Sequence, residues 1–149
     1  MKVSDHPYRR PGTHVIQIIF RVLMGITLII AGTAHLTFAR TEFQAQVPNW
    51  VPMEKDLVVV LSGVVEIALG AALIFPGKLR IAIGWIVAVF FLAVFPGNIY
   101  QYMNRVDGFG LDTDTARFIR LFFQPLLIFL VLWCTGALGA LKNRRNSKI

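Results

Sequence analysis

LVVVLSGVVEIALGAALIF, residues Leu57–Phe75, is an apolar run long enough to cross a bilayer, with one acid, Glu66, near its middle. An ionised carboxylate is costly at that depth, so it must face protein or a water-filled cavity and have a partner. In a helix, Gly63, Glu66 and Gly70 fall on one stripe, and small residues mark the face where membrane helices approach closely. The spacing therefore points Glu66 into a bundle.

Three further apolar runs flank this one: Val15–Phe38, Ile81 to about Phe95 continuing through Pro96-Gly97-Asn98, and Ala116–Leu138. The expected fold is all-α, a four-transmembrane-helix bundle with spans at about 15–38, 57–75, 81–98 and 116–138. A tail over 1–14 precedes it and a basic tail over 139–149 follows. The first run is longer than a signal-peptide core and further spans follow, so it reads as a span and not as a cleaved leader. With 149 residues, 56% hydrophobic and 15% charged, the chain is too apolar for an ordinary soluble domain.

The net charge of +7 does not mark a nucleic-acid protein, because the charges cluster between the apolar runs. Lys2, Arg9, Arg10, Lys78, Arg80, Lys142, Arg144, Arg145 and Lys148 lie in the two tails and the Pro76–Arg80 turn, offset by Asp5. The other connections set Arg40 and Lys55 against Glu42, Glu54 and Asp56, and Arg105 and Arg117 against Asp107, Asp112 and Asp114. Both termini are therefore expected in the cytoplasm of a multi-pass protein of the cell membrane, with the bilayer as its first partner.

Within the first span Arg21, Gly25, Leu28, Gly32 and His35 share a stripe. Arg21 lies close enough to the start of the span to snorkel to the headgroups, and His35 near the far end reads equally as a packing or a functional residue. The Ala39–Asp56 connection has a centre, Val47-Pro48-Asn49-Trp50-Val51-Pro52, that cannot be regular helix, with Trp50 as an interfacial anchor. Pro96 should bend or end the third helix. In the next connection the acids do not match a calcium loop, and Asp112 or Asp114 is expected to cap the following helix. Cys134 is the single cysteine and reads as a small buried hydrophobe. No phosphate loop, nucleophile–base pair or metal-ligand spacing stands out.

Leu23–Leu36, LMGITLIIAGTAHL, aligns without gaps to Leu61–Ile74, LSGVVEIALGAALI, sharing both glycines. Those spans run in opposite directions, so a repeat would be inverted.

In the expected topology His35, Asn98, Arg120 and Gln124 lie in the outer half of the membrane, and Arg120 can reach Glu66 directly, through Gln124 or through water. Two readings stay open. The five residues form an outward-facing polar pocket that binds a ligand, or they are a polar staple that fixes helix register.

At these residues the chain resembles the DoxX family of small four-helix membrane proteins. The matching stretches are Ala31-Gly32-Thr33-Ala34-His35, the Pro48–Pro52 loop, Gly63–Gly70 around Glu66, Phe95-Pro96-Gly97-Asn98 and Arg120-Leu121-Phe122-Phe123-Gln124, covering about Ile16 to Leu138. The family often has Ala where Gly97 stands, and Pro within the stretch occupied by Phe122-Phe123. The resemblance implies an accessory subunit linked to quinone-coupled redox chemistry, with a membrane or secreted oxidoreductase as partner, and not a stand-alone enzyme. A homo-oligomer is compatible with four short spans.

Overall fold

The computed structural model describes residues 13–108, 110 and 112–146. The basic N-terminal tail with Lys2, Arg9 and Arg10, and Lys148 at the other end, lie outside the described residues. The described chain is helical: α1 (Val15–Leu36), α2 (Arg40–Gln44), α3 (Lys55–Ile74), α4 (Arg80–Met103), α5 (Asp114–Cys134) and α6 (Ala137–Asn146), with a single 3-10 turn at Gly77–Leu79 before α4. Among the described residues α1, α3, α4 (with that turn) and α5 are long and apolar enough to cross a membrane. They define an integral membrane protein.

Local chemistry sets the helix ends. The Gln17 side chain accepts the His14 N–H at 2.9 Å and so closes the first turn of α1. Thr113 caps α5 by accepting the Ala116 N–H at 3.2 Å. The cap expected at Asp112 or Asp114 thus falls on the residue between them, and Asp114 occupies the first turn, where its charge suits the helix N-terminus. Pro96 does not end α4, which runs on to Met103, and Pro125 lies inside α5. Gly136, at φ 79°, breaks the chain after Cys134, so the last apolar run is split and its end begins α6.

The four spans pack as two tight pairs. α1 and α3 run antiparallel with their backbones touching at two glycine pairs. A Cβ on Gly32 would lie 2.5 Å from the Gly63 carbonyl oxygen, and one on Gly25 would lie 2.7 Å from that of Gly70. Exchanging the aligned positions of the two spans maps one contact onto the other: Ile67 flanks Gly32 as Ile29 flanks Gly70. The sequence similarity between these spans is thus a local two-fold in their packing. In the second pair, a Cβ on Gly84 of α4 would meet the Thr135 hydroxyl just past α5, and Ala88 is buried beside it. The core joins the pairs through Met24, Leu28, Leu73, Val87, Phe91 and Val131.

One end of the bundle is fastened by Arg80, whose Nε donates to the Thr135 carbonyl at 2.9 Å and whose Nη1 donates to the Thr13 hydroxyl at 2.9 Å. Gln17 donates to the Trp133 carbonyl at 2.8 Å and Phe20 meets Trp133 edge-on, tying α1 to α5. At the opposite end Arg40 grips Asp56 through two nitrogens, with Gln44 also on that carboxylate, and Arg117 binds both Asp107 and Asp114. The Arg40 guanidinium is held above its usual range chiefly by the hydrogen bond to Asp56.

Gly32→Val should lower the thermal stability of the detergent-purified protein by about 1–3 kcal/mol, because two backbones must part. Val89→Ala, on the exposed outer face, should leave it nearly unchanged. Equal melting temperatures for both variants would contradict the glycine contact.

Candidate functional site

A cavity of about 690 Å³ lies between the two helix pairs, and His35, Glu66, Asn98, Arg120 and Gln124 all line it. It follows α1 from Phe20 to His35, about 22 Å at the helical rise. The polar side chains gather towards the α2 end. The remainder is walled by Leu23, Met24, Leu28, Phe91, Leu127 and Leu130 among other apolar residues. Its mouth is covered by Phe43, Gln46, Val47, Pro48, Trp50 and Val51. The loop, expected to be an interfacial anchor in preference to a lid folded back on the bundle mouth, lines the cavity, while Trp50 itself stays 70% exposed.

Gly97 lets this roof sit down. A Cβ there would lie 2.5 Å from the Gln46 carbonyl oxygen, so an alanine at this position would push the roof away from α4. At the side, Leu23 of α1 and Phe123 of α5 line the cavity and are each about half exposed on the bundle surface. These two residues put the seam between α1 and α5 on the flank of the cavity.

Glu66 is buried, on the stripe shared with Gly63 and Gly70. Its ion-pair contact is with His35, whose Nδ1 lies 2.9 Å from Glu66 Oε2. The expectation looked to Arg120 for a partner of this carboxylate; α1 packs so closely on α3 at Gly32 and Gly63 that His35 meets it. Arg120 lines the same cavity from α5. Phe43 stacks on the His35 ring at a centroid distance of 3.4 Å and fixes its plane.

The His35 tautomer follows from its neighbours. Nδ1 also lies 3.0 Å from the Ala31 carbonyl oxygen, which can only accept, so Nδ1 carries a proton. Glu66 Oε2, at 2.9 Å, lies as close to that nitrogen as the Ala31 oxygen does. The imidazole therefore sits between two acceptors, one from its own helix and one from α3. The Gln46 side-chain nitrogen in the roof is buried with no acceptor.

A second polar link crosses α4 and α5. Asn98 donates to the Gln124 side-chain oxygen at 3.2 Å, and Gln124 donates to the Phe91 carbonyl at 2.6 Å. Phe91 sits one residue before Leu92, whose carbonyl loses its usual donor because Pro96 has no N–H. Gln124 thus hydrogen-bonds backbone next to the proline, where the bundle interior offers no water.

Sequence reasoning missed Phe43 and Gln46, because a short helix after a span gives no signal of folding back over it. Away from the cavity, Arg21 keeps its Nε buried without an acceptor, so snorkelling does not describe the whole side chain. Cys134 is fully buried, its thiol 3.5 Å from the Val131 carbonyl. Among the described residues no three His, Cys, Asp or Glu side chains come together as a metal site would require.

Fold and cavity together define a small helical membrane protein with an amphipathic cavity between its two helix pairs. The chain belongs to a family described as a domain of unknown function, DUF8561, whose model matches residues 24–135. That match takes in the later part of α1, all of α3, α4 and α5, and most of the cavity lining. No curated protein and no solved structure matches the chain.

Gln124→Leu should destabilise the protein by about 1–3 kcal/mol, because the Phe91 carbonyl and the Asn98 amide both lose their partner. Asn98→Leu should cost less, since Gln124 keeps its bond to Phe91. Denaturant unfolding of the two variants beside the wild type reads the difference.

Proposed function

We propose that the protein is a multi-pass protein of the cell membrane, both termini cytoplasmic, whose outward-facing cavity binds a quinone or similar amphiphile beside a redox partner. One observation carries the reading: charged and amide side chains gather at one end of an elongated, otherwise apolar cavity flanked by the α1–α5 seam. An amphiphile has the matching division, with a polar head and a chain that leaves through the α1–α5 seam. Its volume suits a small ligand, since such sites run to roughly 300–1,000 Å³.

The redox element of the proposal draws on the resemblance to the DoxX family through the stretches around His35, Glu66, Asn98 and Gln124. A single cysteine cannot perform dithiol exchange, so the protein is read as an accessory subunit acting with a membrane or secreted oxidoreductase. The orientation draws on charge. Lys78, Arg80, Lys142, Arg144 and Arg145 occupy one end, while at the other end Arg40, Arg105 and Arg117 are joined to carboxylates and Lys55 stands between Glu54 and Asp56 in sequence.

A purely structural role for the polar residues draws on the same contacts, since His35–Glu66 joins α1 to α3 and Asn98–Gln124 joins α4 to α5. On that reading an apolar double replacement of His35 and Glu66 is tolerated, while either single change destabilises by about 3–5 kcal/mol. The ligand reading differs in what the purified protein carries.

Mass spectrometry of organic extracts from wild type and Glu66→Gln, matched for folded protein and detergent, should find a defined amphiphile enriched several-fold in wild type. Equal, background-level extracts would overturn the ligand reading. For orientation, Asp112→Cys should react with an impermeant maleimide added to intact cells, and Asn146→Cys only after permeabilisation. The reverse pattern would overturn the topology.

A further inference from the structure

The end of the bundle fastened by Arg80 carries charge of one sign. Lys78, Lys142, Arg144 and Arg145 are exposed there, and Arg80 is half-buried. Among the described residues no acid shares that end. Glu42, Glu54, Asp56, Asp107, Asp112 and Asp114 belong to the two opposite connections or the helix starts beside them, and Glu66 lies near the middle of α3. At that opposite end Arg40, Arg105 and Arg117 are each joined to a carboxylate. The cations of the two ends are therefore set up differently.

Apolar neighbours fix the depth of the basic end. Phe75 and Leu79, on either side of Lys78, are 81% and 66% exposed, and Leu141, directly before Lys142, is 47% exposed. Apolar side chains this open at the end of a membrane span face the interface, so the cations beside them sit at headgroup level. α6 keeps its own cations close. Gly136, at φ 79°, turns the chain, Ala137 joins the core and Leu138 packs against it. A Cβ on Gly136 would lie 3.5 Å from Arg80 Nη2, so α6 starts beside the α3–α4 turn. From Ala137 to Arg145 is only about 12 Å at the helical rise, close to the distance over which salt screens a charge.

We propose that this end is a binding surface for anionic phospholipid, with head-group phosphates held at the α3–α4 turn and α6 and acyl chains packed beside Phe75 and Leu79. Ammonium and guanidinium groups take phosphate oxygens through charge-assisted hydrogen bonds. Several such groups beside a membrane span draw lipids of net negative charge, whereas a zwitterionic head group brings a cation of its own. The surface lies at the opposite end from the roof, so it forms whatever the cavity holds.

The test uses delipidated full-length protein in a neutral detergent, given equal amounts of phosphatidylglycerol and phosphatidylcholine with identical acyl chains. Native mass spectrometry should find phosphatidylglycerol adducts on the wild type about 5-fold or more over phosphatidylcholine, the effect of a single cation at an anionic lipid surface. Raising the ammonium acetate concentration should shrink that ratio, because exposed charges are screened. Replacing Lys78, Lys142, Arg144 and Arg145 together by Gln should bring it near parity, with Arg80 left in place because it ties Thr13 to Thr135. Arg105→Gln, at the other end, should keep the wild-type ratio. Inorganic phosphate at matched ionic strength should leave it unchanged; displacement of the lipid by phosphate would make the free ion the ligand and overturn the assignment. Equal adducts of the two lipids on the wild type would overturn the surface itself. A wild-type ratio retained in the four-residue variant, or lost in Arg105→Gln, would place the lipid elsewhere and overturn it as well. The head-group and salt comparisons use the wild type alone, so they decide the matter even if the variant folds poorly.

Discussion

The structure depends on two backbone contacts, Gly25 against Gly70 and Gly32 against Gly63. In lipid there is no hydrophobic drive to bring helices together, so close van der Waals packing has to hold them. Without side chains at these four positions, α1 and α3 come near enough to act as one rigid slab. That approach also determines the chemistry. A Cβ on Gly63 would lie 2.7 Å from the His35 Cβ, so the same contact that locks the helices places the imidazole beside Glu66.

The second pair solves its packing differently. α4 and α5 each carry an internal proline, and the pair is joined by Gly84 against Thr135 at one end and by Asn98, Gln124 and the Phe91 carbonyl further along. Each buried polar link thus lies within a pair that is already in contact. Between the pairs, the end near Trp133 is tied by Gln17 and Phe20, and the other end holds the cavity under its roof of Phe43 to Val51. Two rigid halves fastened at one end leave space at the other. The cavity follows from how the pairs are built.

Much of this was legible in the sequence. Length and hydropathy gave four spans, and the stripe of Gly63, Glu66 and Gly70 gave the inward direction of the acid, because helical phase needs no tertiary information. With the expected topology, His35, Asn98, Arg120 and Gln124 could be placed in one half of the membrane, with Glu66 nearer the middle of its span. That His35 meets Glu66 could not be read, since it depends on how closely α1 packs on α3. The roof was also hidden. Pro48 and Pro52 ruled out helix there, but nothing in the sequence reports that the Gln46 carbonyl seats on Gly97. The cap at Thr113 escaped for a smaller reason, as three consecutive residues could each have accepted the bond.

The central claim is that the space between the two pairs is occupied by a selected amphiphile and not by bulk lipid. The most direct measurement places a photo-crosslinking amino acid at Leu127, which lines the cavity, or at Leu126, its exposed neighbour on the outer face of α5. After irradiation in native membranes, the adducts are identified by intact-protein mass spectrometry. The account predicts one defined adduct mass at Leu127 and a mixture of phospholipids at Leu126. The same phospholipid mixture at both positions would contradict it.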